Sequence, residues 1–115
     1  MKEKLESLFI TLSQVLPNKV FYGINIYDNL KIASSPFIVY QELSKRNKIY
    51  SDDKSKVKES TVQITLVTDK KDIKLEKLLE DKLELNYLDY QMISEFFNDD
   101  KSVNRIYEIK MEEIK

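Results

Sequence analysis

Between Ser60 and Leu85 the spacing of apolar positions changes from every second residue to every third or fourth. In Ser60-Thr61-Val62-Gln63-Ile64-Thr65-Leu66-Val67-Thr68, Val62, Ile64 and Leu66 fall on one side of an extended chain. Gln63, Thr65 and Val67 fall on the other. β-Branched residues dominate, and these fit a pleated surface but lose side-chain freedom in a helix. After Asp69-Lys70-Lys71-Asp72 the repeat becomes helical. Leu75, Leu78, Leu79, Leu83 and then Leu85 form the expected buried side, with Glu76, Lys77, Glu80, Asp81 and Lys82 on the wet side. The stretch reads as a strand feeding an amphipathic helix that starts near Asp72 or Ile73, takes its cap from Asp69 or Asp72 and ends at Asn86.

The same two periods organise the rest of the chain. Over residues 2–16, Leu5, Leu8, Phe9, Leu12, Val15 and Leu16 make one helical stripe, stopped by Pro17 and Asn18. Val20-Phe21-Tyr22 is a short extended segment, and Gly23 suits a turn or a positive φ. Residues 24–35 lack clean periodicity and read as a loop or a short irregular strand. Pro36 opens a strand, Phe37-Ile38-Val39-Tyr40-Gln41-Glu42, whose apolar start implies contact on both faces. One face meets the helices; the other meets a neighbouring subunit or is partly wet. Residues 88–97 read as a strand with a bulge near Ile93, with a short helix over Met92–Phe97 as the competing reading. Asn98–Ser102 is a turn. The last strand, residues 103–112, sets Tyr107, Ile109 and Met111 against Glu108, Lys110 and Glu112. The expected fold is α+β: a mainly antiparallel sheet with two helices packed on one face and a projecting loop or hairpin arm.

Composition narrows the chemistry. A chain of 115 residues is expected to form a single domain over 1–115. It contains no cysteine, which removes disulfides, thiol nucleophiles and cysteine metal sites. It contains no histidine, the usual general base near neutral pH and the commonest transition-metal ligand. One glycine cannot build a phosphate-cradling loop. The acidic pairs Asp52-Asp53, Asp99-Asp100 and Glu112-Glu113 sit in expected turns or near the chain end, and adjacent carboxylates on a strand point to opposite faces. No catalytic residue, cofactor or metal site is therefore assigned, and an enzyme is not expected. The charged start is interrupted by Glu3 and Glu6 and no long apolar run follows, so neither a signal peptide nor a membrane span is expected.

Charge is nearly balanced at −1 but unevenly spread. Residues 1–50 hold seven basic and four acidic side chains, and residues 51–115 hold twelve and sixteen. That excludes a dominant basic footprint for nucleic acid. The most polar stretch is residues 44–58, either a long loop or the tip of a hairpin whose strands run beyond the body. Loops of this length without structure are uncommon in compact domains and often carry function. Lys45, Arg46, Lys48, Ile49, Tyr50, Lys54, Lys56 and Val57 are the candidate contacts of this arm with a subunit or a larger assembly.

The order of elements resembles the tail terminator or tail completion (neck) proteins of long-tailed bacteriophages. The likeness is carried by the leading amphipathic helix, Pro36-Phe37-Ile38-Val39-Tyr40, the charged arm, Val62-Gln63-Ile64-Thr65-Leu66-Val67-Thr68 with Asp69-Lys70-Lys71-Asp72, the second helix and a terminal hairpin. The resemblance implies a non-enzymatic subunit of a six-membered ring in the virion, at the head–tail interface. Such a ring caps the tail tube protein, faces a head connector or stopper protein and lets DNA pass through its channel without sequence-specific binding. By the same resemblance the arm reaches a neighbour or the tube. A head-completion or adaptor protein of the neck is the alternative within this class. A small metal-dependent nucleic-acid enzyme is the alternative outside it.

Overall fold

The computed structural model describes residues 2–23, 36–49, 56–86 and 90–114. The elements follow as α1 (Lys2–Val15), β1 (Val20–Tyr22), β2 (Phe37–Ile49), β3 (Lys56–Thr68), α2 (Ile73–Asn86), β4 (Tyr90–Phe97) and β5 (Val103–Ile114). The reading of residues 24–35 lies outside the described residues. The five strands form one sheet in the order β1-β2-β3-β5-β4. β1 runs parallel to β2, and the other three pairings are antiparallel. The α+β fold with a mainly antiparallel sheet is therefore as expected.

Both helices cover the same face of the sheet. The core joins Leu8, Leu12 and Val15 of α1 and Leu79 and Leu83 of α2 to Ile38 and Tyr40, to Val62, Ile64 and Leu66, and to Tyr107, Ile109 and Met111. The register sets these residues in rows: Tyr40 opposes Ile64, which opposes Tyr107; Val62 opposes Ile109. Each fully buried aliphatic side chain contributes about 1.5–3 kcal/mol of apolar transfer. A smaller cluster, Phe37, Val39 and Val67 with Phe21, lies on the opposite face. The start of β2 is thus buried on both faces, and Phe37, Ile38, Val39 and Tyr40 are all at most 8% exposed.

Local signals end the elements where the sequence implies. Asn18 takes φ 64° just after α1, a left-handed position that asparagine tolerates, and Lys19 N–H closes the turn on the Leu16 carbonyl at 3.2 Å. Gly23 has φ 63°, and its N–H donates to the Tyr40 carbonyl at 2.9 Å. Asp72 caps α2 by accepting the Leu75 N–H at 3.0 Å. Residues 90–97 are strand, not helix. Their register shifts between Met92 and Ser94, so the bulge falls at Ile93.

Three expectations need correction. The strands flanking the arm are longer than their apolar runs: β2 continues from Glu42 to Ile49, and β3 begins at Lys56 rather than Ser60. Backbone pairing with distant strands carries them through polar sequence, past a second bulge between Glu42 and Ser44 that no local pattern announced. Second, α2 is rotated. Leu78 and Leu85 are 41% and 79% exposed, whereas Glu76 is 5% exposed. The buried stripe runs through Leu75, Glu76, Leu79 and Leu83 because cationic side chains await the carboxylate. Third, Phe9 lies at the margin of the α1 stripe, half-exposed, and stacks on Tyr40 at 6.5 Å.

Candidate assembly surfaces

The arm is a hairpin continued by the body of the sheet. Beyond the Glu42–Val62 pair, β2 and β3 pair through six more positions, from Ser44↔Thr61 to Ile49↔Lys56. β5 follows on the far side of β3 as far as Val57↔Ile114. The arm is therefore three-stranded, and a strand of 13 residues spans about 43 Å. The whole molecule measures 53 × 28 × 24 Å. Of the sequence-predicted contacts, Lys45, Arg46, Lys48 and Ile49 lie on β2, and Lys56 and Val57 on β3. The register brings together Lys48 with Val57 and Ile49 with Lys56; Lys45 opposes Ser60, and Arg46 opposes Glu59. The Lys45 side chain is exposed. Tyr50 and Lys54 lie outside the described residues.

The two ends of the sheet differ. Among the described residues, β1 covers β2 only from Ile38 to Tyr40, so the outer edge of β2 has no strand partner from Gln41 onward. Beside this end, α1, β1 and β2 enclose an open cleft of about 640 Å³ lined by Leu5, Phe9, Ile10, Val20, Tyr22 and Tyr40, together with Glu6. Tyr22 meets Tyr40 edge-on at 5.1 Å, which fixes the aromatic wall. Burial, and then the Tyr22 hydroxyl, raise the Tyr40 pKa, so Tyr40 is uncharged at neutral pH. At the other end β4 exposes Met92, Ile93, Phe96 and Phe97 at 42%, 47%, 40% and 62%.

Sequence reasoning missed a charged network between α2, β4 and β5. Arg105 donates to Glu95 at 3.1 Å, to Glu80 at 3.0 Å and to the Tyr107 hydroxyl at 2.7 Å, and lies 3.7 Å from Glu76. The Tyr107 hydroxyl donates to Glu80 at 2.6 Å. Lys71 bonds Glu76 at 2.8 Å and Glu95 at 2.6 Å. Burial works against the Arg105 charge, but its bonds to Tyr107 and Glu80 outweigh it and the pKa rises. Burial and then the Glu80 bond push the Tyr107 pKa up. The bond from Lys71, helped by Arg105 and opposed by burial, lowers that of Glu95. Every carboxylate here is met by a cation, so the network locks α2 to the sheet and has no free acid or base for chemistry. A signal was present: Arg105 is in phase with Tyr107, Ile109 and Met111, a charge at an inward position of a strand.

Among the described residues, no group of three or more histidine, cysteine, aspartate or glutamate side chains is placed to hold a metal ion. No described helix is long and apolar enough to cross a membrane. No protein-family model matches the chain, and no curated protein sequence matches it.

Proposed function

We propose that this chain is a structural, non-enzymatic subunit of a long-tailed phage tail, which caps the tail tube as a ring of six copies, the number its family resemblance implies, and joins the tube to the head connector. What supports this reading is the three-stranded arm. It carries a polar, basic strand pair out beyond the apolar core, which ends at Val62 and Met111, and so extends the reach of the molecule. A heterologous contact repeated around a closed ring lets each subunit use one surface and its complement, and growth stops when the ring closes. The near-neutral subunit suits a channel through which DNA must slide, because dense cationic surface would hold the polymer. The ring sits in the virion at the head–tail interface, with the tail tube protein on one side and a connector or stopper on the other.

The test is assembly. Purified chain is incubated with uncapped tails, and the products are examined by light scattering and particle imaging. The expected result is a ring with an open channel at the tube end. A protein that stays monomeric and never joins tails overturns the proposal. Loss of the gene separates the terminator from a neck adaptor: overlong or uncapped tails mark the terminator, and normal tails with leaking heads mark the adaptor.

A further inference from the structure

We infer that Glu42 and Ser60 together bind one buried water molecule at the root of the arm, and that this water pins the bulge which sets the register of β2 against β3. The site belongs to the fold itself, whatever the chain assembles with. Among the described residues, two buried side-chain oxygens have no hydrogen-bond partner in the protein: Glu42 Oε2 and Ser60 Oγ. Ser60 is fully buried. The register brings the two together. Glu42 opposes Val62, and Ser60 lies two residues before Val62, on the same face of β3. Val62 and Met111, the partner of Ser60 on β5, both belong to the helix-side core, so the pair faces that core. Diagonal neighbours of this kind are about 7–8 Å apart between Cα atoms, a gap that a glutamate side chain and one water span.

The chemistry of the two oxygens selects the occupant. A buried polar atom left without a partner costs more than its bond would return. An ionised carboxylate only accepts, and a hydroxyl both donates and accepts, so the bridging molecule must donate to Glu42 and can do either with Ser60. Water does both, and buried waters characteristically join polar groups that lack other partners. The occupant is small, because buried Val62, Ile109 and Met111 surround the pair. A divalent cation calls for more oxygens than these two supply. Lys45 stands directly opposite Ser60, but its side chain is exposed and bonds neither oxygen. Leu43 has no partner across the ladder, and its backbone offers the water a third contact.

The bulge matters to the arm because it sets which residues meet. With Leu43 dropped from the ladder, Arg46 stands opposite Glu59 and Lys48 opposite Val57. Without the bulge, Lys45 would stand opposite Glu59, Arg46 opposite Lys58 and Lys48 opposite Lys56. Like charges directly opposite destabilise a strand pair, so the slipped arm carries two repulsive positions where the observed one has none. A one-residue slip also turns every side chain of a strand to its other face. Charge disfavours the slipped register, and the water holds the bulge where the apolar core gives way to the arm.

The test joins a thermodynamic cycle to a direct count of waters. Removing a hydroxyl that has no partner is neutral or stabilising, whereas removing one that helps hold a water for a buried carboxylate is not. Ser60→Ala is therefore expected to raise the unfolding equilibrium constant about tenfold in urea titration. In a Glu42→Leu background, which has already lost the water, the same substitution should change it by less than about twofold. Relaxation dispersion of the water oxygen signal is expected to lose one long-lived water in Ser60→Ala and the same one in Glu42→Leu. The arm amides at residues 58–60 should exchange faster in Ser60→Ala by a larger factor than those of β4. A Ser60→Ala protein as stable as the wild type overturns the inference, and so do additive effects in the cycle. A wild-type chain with no long-lived water removed by either substitution also overturns it, since the two side chains would then bond directly. Equal acceleration of exchange in the arm and in β4 overturns the role in register.

Discussion

Arg105 is the residue on which the most interactions converge. Its side chain is 15% exposed, and that of Glu76 is 7% exposed. Removing one partner of a buried pair leaves the other charge without compensation, at a cost of about 3–5 kcal/mol. Arg105→Ala is therefore expected to destabilise the protein by about 3 kcal/mol, since Lys71 still serves Glu76 and Glu95. Lys77→Ala, which breaks the exposed 3.8 Å pair with Asp81, is expected to cost about 0.5 kcal/mol or less. Urea unfolding of the two variants checks the contrast. The same network sets an acid limit. Glu95 has a lowered pKa in the folded state, so its contribution is present above the ordinary carboxylate pKa and is lost as pH falls through the folded value. Melting temperature should drop on going from about pH 5 to about pH 3, and Glu95→Gln should flatten that part of the profile. A Glu95→Gln profile parallel to that of the wild type would show that the lost protons belong elsewhere.

Elements are fixed by short-range devices that single substitutions can probe. Asp72 satisfies a free N–H at the start of α2, and Asp72→Ala should cost about 1 kcal/mol in urea titration. Gly23 is different. A methyl group there would meet nothing within 4 Å, so only the positive φ opposes it. Gly23→Ala should then cost about 1 kcal/mol through backbone strain without any packing change. These devices were legible in the sequence: Asp72 before an apolar repeat, the lone glycine after Val20-Phe21-Tyr22, and Asn18 after the α1 stripe. The rotation of α2 was not. Leu75, Leu79 and Leu83 fit a stripe that leans towards Leu78 as well as one that leans towards Glu76, and only the positions of Lys71 and Arg105 choose between them.

For the whole molecule, the arm and the body are separable parts. The apolar residues of the helix-side core end at Val62 and Met111, short of the outer pairs of β2 and β3. Replacing residues 47–58 by Asn-Gly, which favours a tight hairpin turn, should leave the melting temperature within a few degrees of wild type. The same variant should lose tail capping in the imaging assay. Retained capping would remove the arm from the proposed mechanism.

Periodicity alone marked both helices and the strands at 20–22, 37–42, 60–68 and 103–112, because burial on one face of a strand or helix repeats at its own spacing. It left residues 92–97 open between strand and helix, with a bulge near Ile93 in the strand reading, and it put the arm between two strands. Tertiary structure decided the rest. It settled that the polar residues 44–49 and 56–59 are strand, since pairing with segments distant in sequence holds them there. It turned Glu76 inward, since a carboxylate is stable there only where cations from β5 and the segment before α2 converge on it. It set the apolar β4 edge and the aromatic cleft at opposite ends of one sheet, because strand order is a property of pairing between distant segments that no local pattern encodes.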